Sequence, residues 1–586
     1  MSHSHQTPAG IQSARALTTR RWVVLLLNVA TYAALVGVLA RVLGAGGWTV
    51  IDSCLMIAFL FGAPWTVLGF WNALLGLWLL HAARDGLAPV APYATAGHSD
   101  EAIHLKIAVL MTVRNEEPSR ALARLRVVKS SLDRTGFGDR FAYFILSDTS
   151  DAEIAVREEM AVRAWQQSEG QAAIAYRRRS DNVGFKAGNL RDFCERWGKD
   201  FDLMLPLDAD SLMSGETVLK LARMMQAYPK LGILQSLVVG MPSESAFARM
   251  FQFGMRHGMR SYTMGAAWWG GDCGPFWGHN ALVRIAPFYE HCDLPVLPGG
   301  PPLGGHILSH DQVEAVLMRR AGYEVRVLPV EGGSWEENPP SVLGFTQRDL
   351  RWCQGNMQYW RLLVMPGLKI MSRFQLLWAI LMFLGVPAWT LIIALLPFKV
   401  MDGKDPAAFP ATLAIGLYLV FQLMYLMPKI AGLVDIVLTK GGVARYGGTL
   451  RFSVSAVIEI VFAYLLGALT TLRTSVFMVG LAFGRSVMWS GQARDVATLS
   501  WGMAFRRLWW HEAFGITVTV ALALTSPTVL LWVSPLIAGY VLAVPFAVLT
   551  AAPSVGAFFV RNGLNGVAED FAPPEEILQL RTLADR

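Results

Sequence analysis

An apolar run in the stretch DLMLPLDADSL, residues 202 to 212, ends in two carboxylates that are separated by one residue. At this spacing Asp208 and Asp210 can bind a hard divalent cation, Mg²⁺ or Mn²⁺, which typically keeps substrate phosphate oxygens among its ligands. Such a cation neutralises the charge that develops when a nucleoside diphosphate leaves. The alternative interpretation is that the pair only ends a strand and caps the next helix, because D-x-D occurs by chance in many proteins.

Two further charged residues stand at positions suited to a nucleotide. Asp148, in LSDTSD at 146 to 151, ends an apolar run in the same way and could meet a base or a ribose. Lys186 lies between two glycines in NVGFKAGNL, residues 182 to 190, where a helix is predicted to start. Backbone N–H groups and the helix dipole favour a diphosphate at such a position. The alternative for Lys186 is a solvated surface lysine.

Two downstream segments carry a second group of candidates. The stretch SHDQVEAVL places Asp311 at the N-terminus of an amphipathic helix, where the alternative role is an N-cap. The stretch TQRDLRWCQGN, residues 346 to 356, combines Arg348, Arg351 and Trp352 ahead of an apolar segment. The alternative there is an interfacial anchor with an aromatic belt.

The composition of the chain is that of a membrane protein. Of its 586 residues 53% are hydrophobic and only 16% are charged, and the mean hydropathy is +0.38. The net charge of +7 could suggest nucleic acid, but Lys and Arg stand mostly beside apolar runs, as membrane anchors do, so no nucleic-acid partner is expected. The five cysteines are odd in number and irregularly spaced, which predicts reduced thiols facing the cytoplasm.

Apolar runs long enough to cross a hydrocarbon layer of about 30 Å flank a central segment whose apolar runs are shorter. The predicted organisation is a cytoplasmic leader at 1–21, two transmembrane helices at 22–82, a cytoplasmic domain at 100–345, amphipathic interface helices at 346–372, a transmembrane bundle at 373–552 and a cytoplasmic tail at 553–586. The predicted full spans are 22–42, 54–80, 374–396, 411–436, 514–533 and 536–552. Arg20 and Arg21 predict that the N-terminus stays inside.

The apolar segment 452–484 is too long for one span and too short for two. It carries Glu459 and Arg473, and charged residues inside a membrane usually face a cavity or a partner. The stretch that follows is basic and is therefore expected inside. The sequence thus predicts a bent or re-entrant pair at 452–484 and a cytoplasmic loop at 485–510.

The central segment alternates short apolar runs with helix-like stretches. The runs IAVLMTV, FAYFILSD, LMLPLD and LGILQSLVV begin at residues 107, 141, 203 and 231. Continuous apolar strands alternating with helices predict an α/β domain whose sheet is covered on both faces. The ligand crevice of such a sheet lies at the carboxyl ends of the strands, where Asp148, Asp208 and Asp210 are placed.

The order of the candidate residues resembles that of the processive family 2 glycosyltransferases, the group that includes cellulose and hyaluronan synthases. The resemblance covers about residues 100 to 550, and within the group it is strongest to the glucosyltransferases of osmoregulated periplasmic glucans. It is carried by VRNEEP (113–118), LPLDADS (205–211), FWGHNALVR (276–284), SHDQVEAVLMRRAGYEV (309–325), WEENPPS (335–341), QRDLRWCQGN (347–356) and WSGQARD (489–495). It implies a GT-A type, nucleotide-diphospho-sugar transferase domain inserted between the transmembrane helices of a polytopic membrane protein.

The resemblance also implies a role for each matching position. On the donor side, Asn115 and Glu116 would contact the nucleotide, Asp148 the uridine, Lys186 the diphosphate, Asp208 and Asp210 the metal and the donor, and Arg351 the donor. On the acceptor side, Asp311 would act as general base, and Trp352, Trp277 and His279 would bind the glycan, because an aromatic face suits the C–H face of a sugar.

The sequence departs from the family pattern at three places. Ser309-His310-Asp311 stands where cellulose synthases have Thr-Glu-Asp, so only the aspartate is shared. Arg348 replaces the usual glutamine of Gln-x-x-Arg-Trp, and Gln347 lies one residue early. The basic loop 485–510 resembles in position a gating loop over the donor site, but it lacks the Phe-x-Val-Thr signature.

The function that the resemblance implies is a processive, inverting, UDP-glucose-dependent synthase of a β-1,2-linked periplasmic glucan, using Mg²⁺ or Mn²⁺ in a bacterial inner membrane. Its implied partners are UDP-glucose, the growing glucan and the lipid bilayer, with acyl carrier protein and periplasmic glucan-processing proteins as family-level expectations. The alternatives are another β-glycan synthase of the superfamily, or a transporter with a nucleotide-sugar-sensing cytoplasmic domain. The sequence has no evident internal repeat and no G-x-x-x-x-G-K-[ST] loop, which disfavours the transporter.

Overall fold

The computed structural model describes residues 11–170, 173–404, 406–487 and 498–584. The chain begins with two long apolar helices, α1 (Ala14–Gly44) and α2 (Val50–His81). Thr49 and Asp52 form a capping box at the start of α2, which satisfies backbone N–H groups that the helix leaves unpaired. Lys399 and Lys404 pair with the buried Asp52 at 2.7 and 2.6 Å and so tie this end of α2 to the bundle that follows.

An α/β domain follows the first two helices. Its elements in chain order are β1 (Ile107–Val113), α3 (Pro118–Asp133), β2 (Phe141–Ser147), α4 (Ala152–Glu169), β3 (Ala175–Arg178), α5 (Phe185–Trp197), β4 (Leu203–Asp208), β5 (Leu212–Met213), α6 (Gly215–Ala227), β6 (Leu231–Gln235), β7 (Val239–Gly240), α7 (Ala246–Gly270), β8 (Ala281–Arg284), α8 (Ile285–His291), α9 (Asp311–Arg320), β9 (Glu324–Val327), β10 (Ser334–Glu336) and α10 (Val342–Met357). Each of the four predicted apolar runs contains one of these strands.

The main sheet has seven strands in the order β3-β2-β1-β4-β8-β6-β9. The first four are parallel, and β8 runs antiparallel between β4 and β6. Apolar side chains of β1 alternate between two cores, with Val109 and Met111 on one face and Ala108 and Leu110 on the other. Both faces are therefore covered, as the continuous apolar runs predict. The short strands β5, β10 and β7 form a second sheet.

Helix α7 does not behave like a helix of a separate soluble domain. It packs along α2, and Trp269 donates a hydrogen bond from its indole nitrogen to Oδ1 of Asn72 at 2.9 Å. The two backbones approach closely, because a Cβ at Gly265 would lie 2.0 Å from the carbonyl oxygen of Asn72. The predicted domain 100–345 thus shares one helix with the membrane part.

The second half of the membrane part consists of helices. They are α11 (Ile370–Leu384), α12 (Val386–Val400), α13 (Ala411–Leu438), α14 (Thr449–Ala482), α15 (Trp501–Thr525), α16 (Pro527–Val541) and α17 (Ala543–Ala551). Within the described ranges, five helices are long and apolar enough to cross a membrane when α11 and α12 count as one, and the pair α16 and α17, bent by 58°, is a sixth candidate. The first four spans predicted from the sequence coincide with four of these helices.

The structure corrects the two predictions for the end of the bundle. Residues 452–484 do not form a bent pair, because all but the last two lie in the unbroken helix α14. The predicted spans 514–533 and 536–552 are also wrong, since the chain breaks at Ser526 and again at Leu542. Ser526 caps α16 and Pro527 occupies its first turn, a combination that starts a helix whatever the surrounding hydropathy.

Both ends of α14 contact elements that pack on the α/β domain. Near its start, the side-chain oxygen of Ser455 accepts a hydrogen bond from the backbone N–H of Asn565 at 2.8 Å. Near its end, Thr474 donates to Asp349 of α10 at 3.4 Å, and the backbone N–H of Val487 donates to Gln354 at 2.7 Å. The chain therefore leaves α14 beside α10.

The predicted loop 485–510 falls partly outside the described residues, which omit 488–497 and with them the stretch WSGQARD. Its last part is helical, because Ser500 caps α15 by accepting a hydrogen bond from the backbone N–H of Met503 at 3.3 Å. The intramembrane Glu459 meets partners, as its position predicts: it pairs with Lys429 of α13, and His257 of α7 lies 3.8 Å away.

The segment predicted as a tail folds back onto the α/β domain. It forms α18 (Pro553–Asn562), α19 (Ala568–Phe571) and α20 (Glu575–Ala584). Ile577 is only 3% exposed and joins the core beneath the sheet. Ser131 of α3 donates to Glu576 at 2.5 Å, and the buried Arg256 of α7 pairs with Glu569. This segment is thus an integral part of the domain.

Candidate active site

A cleft of about 190 Å³ opens where the parallel strands β1, β2 and β4 end. Most of the residues singled out in the sequence line it, namely Glu116, Asp148, Lys186, Asp208, Asp210, Trp277, His279, Asp311, Arg348, Arg351 and Trp352. They come from separate segments spread over more than 200 residues of chain, so the fold alone brings them together. Asn115 is the one predicted site residue that does not lie on the wall of the cleft.

Asp208 is the last residue of β4, and Lys186 lies in the first turn of α5, as the sequence predicts. The ammonium nitrogen of Lys186 contacts Oδ1 of Asp208, which also accepts a hydrogen bond from Thr112 at 3.3 Å. Gly184 precedes α5 with a φ of +72°, a left-handed conformation that glycine adopts without strain. This turn aims Lys186 at the end of the strand.

Asp208 and Asp210 provide only oxygen ligands, which suits Mg²⁺ or Mn²⁺. Across the described ranges, no group of three His, Cys, Asp or Glu side chains is arranged to hold a metal ion. The donor set therefore fits a cation that takes its remaining ligands from a bound diphosphate and water, and it does not fit a metal cage made of protein alone.

Asp148 is buried, and its carboxylate is held by Arg179. The guanidinium donates to both oxygens of Asp148 at 2.7 Å each. Arg179 follows β3 directly, and its backbone N–H bonds the carbonyl of Ser147 at 3.0 Å. Sequence reasoning missed Arg179, although the basic run YRRRS just before Asn182 was a visible signal. The candidate base and ribose site is thus an arginine–carboxylate pair.

Asn115 connects two loops beside the cleft. Its side-chain oxygen accepts hydrogen bonds from the backbone N–H groups of Ser150 and Asp151, both at 2.9 Å. Its φ of +57° is one that asparagine tolerates better than most residues. The neighbouring Glu116 does line the cleft and accepts a hydrogen bond from the backbone N–H of Arg114 at 2.7 Å. In the structure Asn115 therefore holds together the two loops beside the cleft and does not line the cleft itself.

Asp311 begins α9, as predicted, and reaches the cleft. Its Oδ1 accepts a hydrogen bond from the backbone N–H of Gln312 at 2.9 Å. Burial raises the pKa of Asp311 above its ordinary value, and the neighbouring His310 opposes this rise. A carboxylate with a raised pKa is a stronger base, which is useful to a group that removes a proton near neutral pH.

Trp277 and His279 line the cleft from the turn before β8. The backbone N–H of Trp277 donates to Gln235 at 2.9 Å, and Nε2 of His279 lies 3.5 Å from the carboxylate of Glu336. Burial raises the pKa of Glu336, and Asp208 and Asp210 add to the rise. Sequence reasoning gave Glu336 no role, although it lies in the quoted stretch WEENPPS.

Helix α10 lines the cleft with Arg348, Arg351 and Trp352. The Arg348 guanidinium lies 4.9 Å from the ring centre of Trp352, and Trp352 itself remains half exposed. Gly355 lets α10 approach the loop before α9 closely, since a Cβ at Gly355 would lie 2.3 Å from Oγ of Ser309. Tyr359 then donates to the carbonyl of Ser309 at 2.8 Å. Arg351 and Trp352 are thereby fixed relative to Asp311.

Two glycosyltransferase family models match parts of this chain. The family model described as glycosyl transferase family 2 matches residues 108–292, and the one described as glycosyl transferase family group 2 matches residues 203–428. Among solved structures, the chain is similar to a mannosyltransferase from Pyrobaculum calidifontis in complex with GDP-mannose and Mn²⁺, with a TM-score of 0.38 and 16% identity over 65% of this chain and 98% of the other.

Sequence relatives cover nearly the whole chain. A glucans biosynthesis glucosyltransferase H from Vibrio cholerae is 35% identical over 92% of this chain and 76% of its own length. One from Shewanella sp. strain ANA-3 is 34% identical over 95% of this chain and 78% of its own length. One from Xanthomonas euvesicatoria pv. vesicatoria is 33% identical over 99% of this chain and 91% of its own length.

The α/β domain, its cleft and the flanking apolar helices define a membrane protein with a family 2 glycosyltransferase domain, which confirms the predicted α/β domain between apolar helices. Within that class, the chain belongs to the glucans biosynthesis glucosyltransferase H family. It is a glycosyltransferase, so a nucleotide sugar and a glycan acceptor are its substrates.

Proposed function

We propose that the protein is a processive, inverting glucosyltransferase that uses UDP-glucose to build the β-1,2-linked backbone of osmoregulated periplasmic glucans. The observation that carries the proposal is the cleft itself, in which Lys186 and the Asp208-x-Asp210 pair face Asp311 and Trp352. A donor site and an acceptor site thus share one small cavity. The names of the sequence relatives support glucose as the transferred sugar.

The donor is held by the strand-end side of the cleft. Asp148 with Arg179 takes the uridine, with Glu116 beside it, and Lys186 and Arg351 take the diphosphate. The Lys186–Asp208 contact leaves both groups neutralised before substrate binds. A bound diphosphate with its cation would give each group a new partner, with Lys186 binding phosphate oxygen and Asp208 among the residues that would hold the cation.

The acceptor is held by Trp277, His279 and Trp352, with its attacking hydroxyl at Asp311. The carboxylate of Asp311 takes the proton of that hydroxyl while the oxygen forms a bond to the anomeric carbon and the bond to the diphosphate breaks. The nucleophile enters opposite to the leaving group, so one displacement inverts the configuration. An α-linked donor then gives a β-linked product.

Mg²⁺ or Mn²⁺ bound by Asp208 and Asp210 would supply charge neutralisation for the departing UDP. The short D-x-D spacing lets one cation reach both carboxylates. Lys186 and Arg351 add fixed positive charge on the same side of the cleft. This arrangement favours the departure of UDP, which takes the electron pair of the broken bond and so carries one more negative charge than it had in the donor.

The domain lies in the cytoplasm and the helices lie in the bacterial inner membrane in this proposal. Arg20 and Arg21 support that orientation, because basic residues next to a first span usually stay inside. Both bond backbone carbonyls of α7 near Trp268 and Trp269, which keeps them at the α/β domain. The bundle directly after Trp352 is the proposed exit path of the glucan, with acyl carrier protein and periplasmic glucan-processing proteins as expected partners.

The decisive experiment is incubation of the purified protein in detergent with radiolabelled UDP-glucose and Mg²⁺, with and without chelator, followed by linkage analysis. We expect a β-1,2-linked glucan whose formation stops with chelator, and no glucan from Asp208→Asn. UDP release without polymer would keep the transferase and point to a missing acceptor or partner. Absence of turnover with every UDP-sugar would refute the proposal and favour a transporter with a sensing domain.

A further inference from the structure

A histidine–glutamate pair stands beside the proposed base. Nδ1 of His310 lies 2.8 Å from a carboxylate oxygen of Glu314, one turn along α9. Glu314 is 1% exposed, and His310 is the residue directly before Asp311. A buried carboxylate of this kind fixes the orientation of the ring and leaves the other ring nitrogen for a second partner. No described residue forms a hydrogen bond with Nε2 of His310.

The free edge of the imidazole faces the acceptor wall of the cleft. A Cβ at Gly278 would lie 3.5 Å from Cε1 and 3.7 Å from Nε2 of His310, and 3.5 Å from Cβ of Asp311. Gly278 stands between Trp277 and His279, and its φ of +81° keeps the position free of a side chain. The ring of His310 and the carboxylate of Asp311 therefore border the same space as the aromatic wall.

Charges around His310 favour its protonated form. Burial lowers the pKa of His310, but the Glu314 carboxylate, with a further contribution from Asp311, outweighs burial and raises it above the ordinary value. From α5, Lys186 opposes this rise. A protonated imidazole donates from both nitrogens, so Nδ1 can hold Glu314 while Nε2 serves a ligand oxygen.

We propose that His310 is an acceptor-binding residue whose Nε2 donates a hydrogen bond to a hydroxyl of the acceptor glucose, and that Glu314 is the positioning residue that fixes its ring. The inference rests on the proposed function, because it assigns the acceptor to the Trp277 side of the cleft. In this role the histidine of Ser309-His310-Asp311 donates a hydrogen bond to the acceptor. A glutamate at this position could not do so, since an ionised carboxylate can only accept hydrogen bonds.

The hydrogen bond would select which acceptor hydroxyl reaches Asp311. Two neighbouring hydroxyl groups of one sugar ring lie within reach of two adjacent side chains, so holding one at His310 directs the other to the base. Linkage specificity then depends on His310 as well as on the shape of the cleft. A purely structural role for the His310–Glu314 pair would affect folding and leave acceptor binding unchanged.

Two substitutions of His310 distinguish the contribution of its Nδ1 from that of its Nε2. The amide nitrogen of asparagine in His310→Asn can replace Nδ1 and keep the bond to Glu314, but it removes Nε2. The longer His310→Gln can present an amide nitrogen near the place of Nε2, but it loses the fixed contact with Glu314. His291→Asn is a matched control, because His291 is exposed at the end of α8 and does not line the cleft.

The measurement uses the full chain in detergent with UDP-glucose, Mg²⁺ and a β-1,2-linked glucose disaccharide as the acceptor probe. For His310→Asn we expect the KM for the disaccharide to rise about 10- to 100-fold, the range for losing a hydrogen bond to a charged group. The KM for UDP-glucose and the midpoint of thermal unfolding should stay near wild type. His310→Gln should recover part of the acceptor affinity, and the product of His310→Asn should contain other linkages.

The pH profile gives an independent readout. The imidazolium of His310 lowers the pKa of Asp311, so its loss should move the acidic limb of kcat to higher pH. The inference is overturned if His310→Asn keeps the wild-type disaccharide KM and pH profile, or if the KM values of donor and acceptor rise equally. Absence of UDP-glucose consumption by the wild-type protein would instead refute the proposed function, and the inference with it.

Discussion

Asp311 is the single side chain on which the proposed chemistry depends most directly. Replacing it with asparagine keeps its size and its contact with the N–H of Gln312 but removes the base. We expect Asp311→Asn to lower kcat by about 100- to 10,000-fold, the usual contribution of a general base. The dissociation constant of UDP should change little. Near wild-type turnover in this variant would contradict the assignment.

The raised pKa of Asp311 predicts the direction of the pH dependence. A general base acts only when it is deprotonated, so kcat must fall as the pH decreases through the pKa of Asp311 in the complex. Because burial raises that pKa, the fall should begin at a higher pH than for an ordinary aspartate near 3.9. The measurement is kcat against pH at saturating substrates. A flat profile down to about pH 4 would contradict it.

At this scale the sequence predicted the side chains that meet in the cleft better than the groups that hold them. Asp208 and Lys186 were recognisable from strand ends and glycines. Arg179 and Glu336 were not, because their importance comes from pairing with Asp148 and His279, which are distant in the chain. Pairing across a fold has no local pattern in the sequence.

Among the elements, α7 is the one that the sequence placed least well. Its sequence reads as a helix of the α/β domain, because Arg256 and His257 interrupt the apolar pattern and conceal its contact with α2. The structure shows how the buried Arg256 is accommodated: it pairs with Glu331 and Glu569. A helix with satisfied buried charges can pack in the membrane part without the hydropathy that would identify it.

The close contact of α7 with α2 can be tested with two glycines of the same helix. In Gly265→Ala the new Cβ would overlap the carbonyl oxygen of Asn72, whereas at Gly270 a Cβ meets nothing within 4 Å. We expect Gly265→Ala to lower the free energy of unfolding by about 1–3 kcal/mol or more, as overpacking does. Gly270→Ala should be near neutral. Equal midpoints of thermal unfolding for the two variants would contradict the close approach.

The path of α14 predicts the side on which the following residues lie. The sequence predicted a bent pair at 452–484 that brings the chain back to the side of the α/β domain. The structure instead has the unbroken helix α14, which ends beside α10 of that domain. A single cysteine at the exposed Ser486 should therefore react with a reagent added to the side of the α/β domain. A cysteine at Thr412, at the far end of α13, should react from the other side. The reverse pattern would contradict this path.

For the molecule as a whole, the C-terminal helices join the α/β domain to the membrane part. Glu569 accepts a hydrogen bond from the indole of Trp335 at 2.9 Å and pairs with the buried Arg256. Trp335 precedes Glu336 on the wall of the cleft. One carboxylate thus connects α19, α7 and the site, a connection that composition could not reveal because the segment reads as an ordinary polar tail.

Removal of that carboxylate should affect both stability and activity. Glu569→Ala leaves Arg256 with Glu331 alone and removes the acceptor of the Trp335 indole, and an unsatisfied buried donor costs about 1–3 kcal/mol. We expect a lower midpoint of thermal unfolding and a reduced kcat. Glu575→Gln is the control, because the Glu575 side chain is 59% exposed in its contact with Arg134. Equal unfolding midpoints for the two variants would contradict the proposed connection.

The docking of α20 on α3 also has a consequence for synthesis of the protein in the cell. Ser131 and Glu576, which bond each other, are 445 residues apart. At a translation rate of about 5–20 residues per second, the apolar surface around Ser131 remains uncovered for roughly 20 to 90 s after it leaves the ribosome. The second half of the membrane part, α11 to α17, is translated during that interval. The last pieces of the catalytic domain therefore arrive only after the bundle has been made, and a nascent chain that stalls within the bundle cannot complete an active enzyme.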